Sequence, residues 1–489
     1  MKRVLLIEPA GNFIRLDRCM QSIDSWGGVY RFPLNLSRIA AHLINKMYSV
    51  KFIDLQSDNK ANLIGTLLDF KPDLCILSSG FPSMEYDSNT AKVIKEILPN
   101  THVSTFGVVP TLLKDSFFDT LTWGFDIHFD SIIMGGEPAI GYEELLQKGL
   151  KKDYRVVDTT MQKIKLIDTK SSRHLFNHSL YKSPFTGENA TYIEGTYGCP
   201  YKCNFCVVPI LYGNKFSKRT PQDIIAEFKY VIENNDIHQI TLWDEGTSFE
   251  REFILELCDG LIELRKCDNP RLRNFVWTTR STTALLDDEI VEKLALSGLS
   301  GITLGIESFD KQILNSVEKK ISLESNLKAI ELLAKYDIIS IGHIILGHLT
   351  DTKESVERTI QGAVNSGLDF AQFYCAVPYP NTKLHKLASV NNLIRVNDLT
   401  KYELSNPIMD TLGGLTFEEV GEYRNLATKL FWTKERWENL DKLINSSKGI
   451  TKDKKQLFLN WNNGNNVDNL SEIEEMPAEK QEVPISNKN

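Results

Sequence analysis

Three of the chain's eight cysteines, Cys199, Cys203 and Cys206, crowd into eight positions. The other five, Cys19, Cys75, Cys258, Cys267 and Cys375, are scattered without a pairing rhythm, which points to a metal site in a reducing compartment rather than to a disulfide framework. In Gly195-Thr196-Tyr197-Gly198-Cys199-Pro200-Tyr201-Lys202-Cys203-Asn204-Phe205-Cys206 the thiols recur with three and then two intervening residues, on a loop that curls around a compact object. Three sulfurs fit three irons of a cubane [4Fe-4S] cluster, and without an evident fourth protein ligand one iron stays open to an exogenous group. The competing reading is a structural zinc ion, but three Cys lacking a nearby fourth Cys or His leave a tetrahedral set incomplete.

Such a loop has to be held by regular elements, and the alternation of short β-rich runs with amphipathic helical ones supplies them on both sides. Residues 190–385 read as a partial (βα)6 barrel, with strands near 191–194, 239–243, 275–278, 301–305, 338–346 and 370–375. Helical stretches at 223–233, 252–264, 287–296 and 353–366 separate these strands. The Cys loop follows the first of them, at the strand C-terminal face where barrels place their chemistry. Residues 1–150 alternate in the same way, with strands at 3–7, 50–55, 74–79, 102–106 and 131–134 and helices at 36–47, 61–70, 86–98, 111–120 and 141–148. That pattern predicts a doubly wound, Rossmann-like α/β domain with its ligand site at the strand C-termini. The stretch 8–33, with Gly11, Gly27 and Gly28, reads as a long loop without helical period, of a size that is usually functional or mobile. Residues 151–189 form a connector, 386–448 a helical C-terminal segment, and 449–489 an Asn/Glu-rich tail whose composition cannot bury a core.

With 489 residues, 42% of them hydrophobic, the chain can bury more than one core. A net charge of −8 gives no global basic face, so neither nucleic acid nor an anionic membrane is an expected partner. No window approaches the ~18 to 20 apolar residues of a membrane span. After Lys2 and Arg3 only four apolar residues follow, too few for a signal peptide, so a cytoplasmic location is expected.

The Cys spacing, the aromatic Phe205 just before the last Cys and the βα series that follows together resemble the radical S-adenosylmethionine (SAM) superfamily. The resemblance implies that SAM chelates the open iron and is cleaved there by one electron. It assigns Asp244 and Glu245, in Trp243-Asp244-Glu245, to the SAM ammonium, and Arg280, in Trp277-Thr278-Thr279-Arg280, to its carboxylate. Glu307 and Ser308 resemble ribose-contacting residues, and Gly347, closing Gly342-His343-Ile344-Ile345-Leu346-Gly347, would admit adenine close to the backbone. The plainer alternatives are helix N-terminal carboxylates for the acids, a surface ion pair for Arg280 and a core histidine for His343.

The first 150 residues, placed directly before such a barrel, resemble the cobalamin-binding domain of the cobalamin-dependent radical SAM subfamily. The pieces that carry this are Leu5-Leu6-Ile7-Glu8-Pro9, Pro33-Leu34-Asn35-Leu36-Ser37, Pro72-Asp73-Leu74, Ser78-Ser79 and Gly135-Gly136-Glu137-Pro138, with Leu415-Thr416-Phe417-Glu418-Glu419 further on. They imply cobalamin contacts at Glu8, Pro9, Ser78, Ser79, Gly107, Gly135, Gly136 and Glu137. One departure stands out: residues 8–17 contain no histidine to ligate the lower face of cobalamin, and Asp126-Ile127-His128 lies before the fifth strand, in the wrong loop. The implied activity is methylation of an unactivated carbon of a small molecule, with an external electron donor such as flavodoxin or ferredoxin. Cyclisation, ring contraction or oxidation, a domain that only buttresses the barrel, and a noncatalytic cobalamin or redox sensor are the alternatives. At the barrel mouth, Cys375, Tyr374, Tyr379 and His385 are candidate wall residues that set no recognisable substrate code.

Overall fold

The computed structural model describes residues 2–11, 14–16, 20–22, 30–151, 153–162, 167–183, 187–213, 216–433 and 436. Cys19, Gly27, Gly28, Trp437, part of the connector and the 449–489 tail lie outside the described residues.

The chain opens with β1 (Arg3–Glu8), a small antiparallel pair of β2 (Ile14–Leu16) and β3 (Met20–Ser22), then β4 (Ser49–Asp54), β5 (Leu74–Ser78), β6 (His102–Phe106), β7 (Ser131–Met134) and β8 (Val156–Asp158). Apart from β2 and β3, these strands form one sheet in the order β4-β1-β5-β6-β7-β8, with every pairing parallel. Winding reverses between β1 and β5, so the crevice of this doubly wound sheet lies beyond the ends of those two strands. Strand residues alternate between two covered faces, which is why they read as continuous apolar runs. Val4, Leu6, Leu74 and Ile76 pack with the helices Leu34–Asn45 and Pro138–Gln147, whereas Leu5, Ile7, Cys75 and Leu77 face the opposite layer. Burying each such side chain contributes about 1.5–3 kcal/mol.

Two local expectations change. Strand β8, at three residues too short to show a period, extends the sheet into the segment read as connector. The single helix expected at 111–120 breaks into Val108–Leu113, a 3-10 turn Lys114–Phe118 and a short helix Thr120–Trp123, because Lys114 adopts φ +53 and Asp119 starts a new helix by accepting from the Leu121 amide.

The second unit runs through β9 (Ala190–Ile193), the short pair β10 (Thr196–Tyr197) and β11 (Ser217–Lys218), β12 (Gln239–Leu242), β13 (Val276–Ser281), β14 (Leu299–Glu307), β15 (Ile339–Leu346) and β16 (Phe370–Cys375). Its six-stranded parallel sheet has the order β16-β15-β14-β13-β12-β9, and the two edge strands do not pair, so the barrel is partial. The outer face carries Ile240, Leu242, Trp277, Ile302, Leu304 and Ile341 against the helices Pro221–Asn234, Arg251–Arg265 and Asp288–Leu296. Helix Phe417–Phe431 closes the end, with the Phe373 and Phe431 ring centroids 6.0 Å apart.

The two units share a core. Leu5, Ile7 and Leu77 belong to the same apolar cluster as Tyr197, Val207, Leu211, Tyr212 and Tyr379. The stretch around the Cys loop therefore lies on the seam between the domains.

Candidate active site

The Cys loop is built by local constraints that begin where β9 ends. Gly198 takes φ +73 just before Cys199, a conformation that glycine adopts without steric cost. The fully buried Asp244 carboxylate accepts from the amides of Gly195 (2.8 Å) and Thr196 (3.0 Å), fixing the approach to the loop. Between the last two cysteines, the Asn204 amide donates to the Val317 carbonyl at 3.2 Å and its side chain to the Ser316 carbonyl at 2.9 Å. The Asn204 carbonyl accepts from the Leu384 amide at 2.9 Å, and the Cys206 amide closes a turn on the Cys203 carbonyl at 3.1 Å. Asn204 thus ties the loop to two other segments, a role its sequence context gave no sign of.

Cys199, Cys203 and Cys206 line a cavity of about 280 Å³ together with Phe205, Glu245, Arg280 and Glu307. Burial pushes the Cys199 thiol up to about 11, Cys203 to about 12 and Cys206 well above its ordinary value. Burial raises the scattered Cys75, Cys258 and Cys375 as well, so the close spacing of the three loop thiols, rather than their burial, marks them as ligand candidates. Among the described residues no three His, Cys, Asp or Glu side chains gather as the ligands of a single metal ion.

The rest of the wall carries paired charge. Arg280 lies over the Trp243 ring, its Cζ 3.6 Å from the centroid, while Tyr192 stacks with Trp243 at 4.8 Å and 5°. Glu307 adopts φ +61 at a register irregularity between β14 and β15, and its carboxylate accepts from Lys319, which also donates to the Gly305 carbonyl at 2.7 Å. Burial lowers the Lys319 pKa, but the Glu307 carboxylate together with Cys203 and Cys199 raises it above its ordinary value. Sequence reasoning missed Lys319; its only signal was the run Glu318-Lys319-Lys320. His343 also lines the cavity, and burial together with Arg280, Arg31 and Lys319 pushes it down to about 3, so it stays neutral near pH 7. Cys375, Tyr374 and Tyr379 lie on the same wall, whereas His385 is absent from it.

Three expected SAM contacts stand behind the wall rather than on it. The Asp244 carboxylate accepts from the loop backbone, a contact that positions the Cys loop. The Ser308 hydroxyl lies 2.7 Å from that of Thr359 and accepts from the Asp310 amide at 2.9 Å. Gly347 takes φ +78, and a Cβ there would come within 2.6 Å of Val420, so the C-terminal helix already covers that backbone.

Residues 193–362 match the radical SAM superfamily. The barrel carries a radical SAM domain. It is 25% identical over 83% of its length to an uncharacterized methyltransferase of Pyrococcus horikoshii, spanning 88% of that protein. It is also 25% identical over 77% of its length to the anaerobic magnesium-protoporphyrin IX monomethyl ester cyclase of Cereibacter sphaeroides, of which it spans 64%. Its fold matches the radical SAM methyltransferase TsrM of Kitasatospora setae, solved with cobalamin and a [4Fe-4S] cluster bound, at a TM-score of 0.68 and 12% identity over 95% of this chain and 99% of that one.

The domain that precedes the radical SAM barrel divides its expected contacts into two groups. At the switch point the Ser78 hydroxyl donates to the Glu8 carboxylate at 2.9 Å, Thr105 donates to Ser79 at 2.7 Å, and Pro9 is buried beside them. Gly107, with φ +106, opens onto space where a Cβ would meet nothing within 4 Å. Beyond β7 the surroundings are already filled. A Cβ on Gly135 would lie 2.6 Å from the Thr160 amide nitrogen, one on Gly136 would lie 2.1 Å from the Tyr212 ring, and Glu137 is ion-paired with Arg38 at 3.1 Å. Gly136 and Glu137 thus serve the seam with the radical SAM domain. Among the described residues no helix is long and apolar enough to cross a membrane.

Proposed function

We propose that this chain is a cobalamin-dependent radical SAM methyltransferase acting on an unactivated carbon of a small molecule. The observation that carries the reading is one cavity, on the seam with a doubly wound domain, that combines three thiols with Glu245, Arg280 and the Glu307–Lys319 pair. The TsrM fold and the methyltransferase relative support it. When bound, the cluster and SAM supply a hydrogen-abstracting 5′-deoxyadenosyl radical, and cobalamin supplies a methyl carrier.

The chain's own residues perform placement. Cys199, Cys203 and Cys206 hold three irons; Glu245 suits an ammonium and Arg280 a carboxylate, as charge-assisted partners. Tyr192 and Trp243 brace Arg280 through stacking. Glu307 is fixed by Lys319 as an acceptor for ribose hydroxyls. Phe205, Trp243, Tyr374 and Tyr379 exclude water from the reacting centre, the protection that radical chemistry requires of its protein. Glu8, Ser78, Ser79 and the open backbone of Gly107 fit the nearer end of cobalamin's site at the switch point. The cyclase relative favours one second reading, ring closure of a substrate radical without methyl transfer.

The test needs no substrate. The protein, reconstituted anaerobically with hydroxocobalamin and a chemical reductant, is given SAM labelled with 13C in its methyl group. Labelled methylcobalamin on the protein is the expected result. Tight cobalamin binding without methylation would favour the cyclase reading, and absence of cobalamin binding would overturn the proposal.

A further inference from the structure

Trp243, the residue that follows β12, lines the cavity, yet its indole Nε1 is buried without a hydrogen-bond partner. A buried indole N–H ordinarily finds an acceptor, so this donor points to one that a bound molecule brings. The ring itself is fixed, with Tyr192 stacked on it at 4.8 Å and the Arg280 Cζ 3.6 Å from its centroid. A second guanidinium reaches it from the N-terminal domain: the Arg31 Cζ lies 5.6 Å from the same centroid. Its neighbour Phe32 anchors it there, buried in one apolar cluster with Tyr192 and Trp243 and 5.0 Å from the Phe176 ring. Arg31 is half-buried and, among the described residues, pairs with no carboxylate. Its charge is felt inside the cavity, where burial, Arg280 and Arg31 hold the His343 ring neutral.

We propose that Arg31 and the Trp243 indole N–H bind an oxyanion of the substrate, a carboxylate or a phosphate, an inference that rests on the radical SAM methyltransferase reading. The charges of the site leave this role open. Lys319 is balanced by Glu307, while Glu245 and Arg280 match the ammonium and the carboxylate of SAM. Among the described residues, Arg31 is the cation beside the cavity that this pairing leaves over. A guanidinium and an indole N–H both donate and neither accepts, so their common partner must offer several acceptor oxygens. An ionised oxyanion does so and compensates the charge as well, whereas a neutral hydroxyl or amide would leave Arg31 uncompensated.

Three probes that share a ring, benzoate, phenyl phosphate and neutral benzamide, are titrated calorimetrically into the reconstituted, SAM-loaded holoenzyme at constant ionic strength and without reductant. Wild type should bind at least one of the two anions about tenfold or more tightly than benzamide, and the tighter anion names the group. Arg31→Gln should cut that preference to within about twofold while SAM affinity, measured by equilibrium dialysis, is retained. Arg31→Lys keeps the charge and should keep part of the preference. Trp243→Phe, which keeps a ring and deletes the N–H, should weaken the anion and spare benzamide. A wild type that prefers neither anion, a full preference surviving in Arg31→Gln or Trp243→Phe, or loss of SAM affinity in place of anion preference in Arg31→Gln would overturn the subsite. Failure of wild type to bind SAM at all would instead overturn the radical SAM reading beneath it.

Discussion

Arg38 Nε lies 3.1 Å from a carboxylate oxygen of Glu194, the residue that follows β9 at the root of the Cys loop. The same guanidinium reaches Glu137 beyond β7 at 3.1 Å and sits 4.3 Å from the Tyr197 ring centroid. All three charged side chains are at most 2% exposed, so one arginine of the N-terminal domain pairs with two buried acids. Removing it by Arg38→Met should cost about 3–5 kcal/mol, the usual penalty of leaving a buried charge unpaired. Arg38→Lys should recover part of this, since an ammonium cannot bridge both acids with a planar fork. Urea unfolding measures both variants; a loss below about 1 kcal/mol for Arg38→Met would show that the pair adds little.

Asp244→Ala leaves the amides of Gly195 and Thr196 without their acceptor, at about 1–3 kcal/mol for each buried donor. All three cysteines remain, yet the loop that presents them loosens, so iron retained after anaerobic reconstitution and desalting should fall. Asp244→Asn keeps one acceptor oxygen and should retain more. An alanine variant with wild-type iron would contradict the positioning role.

Lys319→Met would leave the buried Glu307 carboxylate without the cation that fixes it in the cavity wall. SAM affinity should fall at least about tenfold with the cluster intact, because iron binding rests on the cysteines. Equilibrium dialysis with SAM measures this directly, and unchanged affinity would remove the Glu307–Lys319 pair from the site.

Asp351 gives a pH signature in stability. Burial pushes its carboxyl up to about 6, against hydrogen bonds from Ser355 and the backbone of His348 and Gly347. The folded protein therefore holds this proton longer than the unfolded chain does. Stability from this group is present in full below about pH 4 and is lost as pH rises to about 6, by at most about 3 kcal/mol at about 1.4 kcal/mol per unit. Asp351→Asn removes the titration, so it should gain on wild type across that window and run parallel above it. Urea midpoints at pH 4.5, 6 and 7.5 test this, and parallel curves throughout would refute it.

Much of the fold was legible because parallel strands covered on both faces leave continuous apolar runs such as Val4 to Ile7. The Cys triad was legible because metal chemistry needs particular side chains at close spacing. Less was readable where a residue's role depends on what the fold brings beside it. Asp244 sits next to Glu245 in sequence, yet beyond the end of β12 one carboxylate accepts from backbone amides and the other lines the cavity. Lys319 lies twelve residues beyond Glu307 and meets it only because the segment after β14 folds back. Arg38, Glu137 and Glu194 are spread over more than 150 residues, and no local pattern announces that they share one charge network.

The most direct test of the central claim is anaerobic reconstitution with iron and sulfide, followed by iron analysis and assay of 5′-deoxyadenosine after addition of SAM and dithionite. Wild type should hold about four irons per chain and release 5′-deoxyadenosine, while Cys199→Ala, Cys203→Ala and Cys206→Ala should each lose both. Four irons and SAM cleavage persisting in any of these variants, or their absence in wild type, would contradict it.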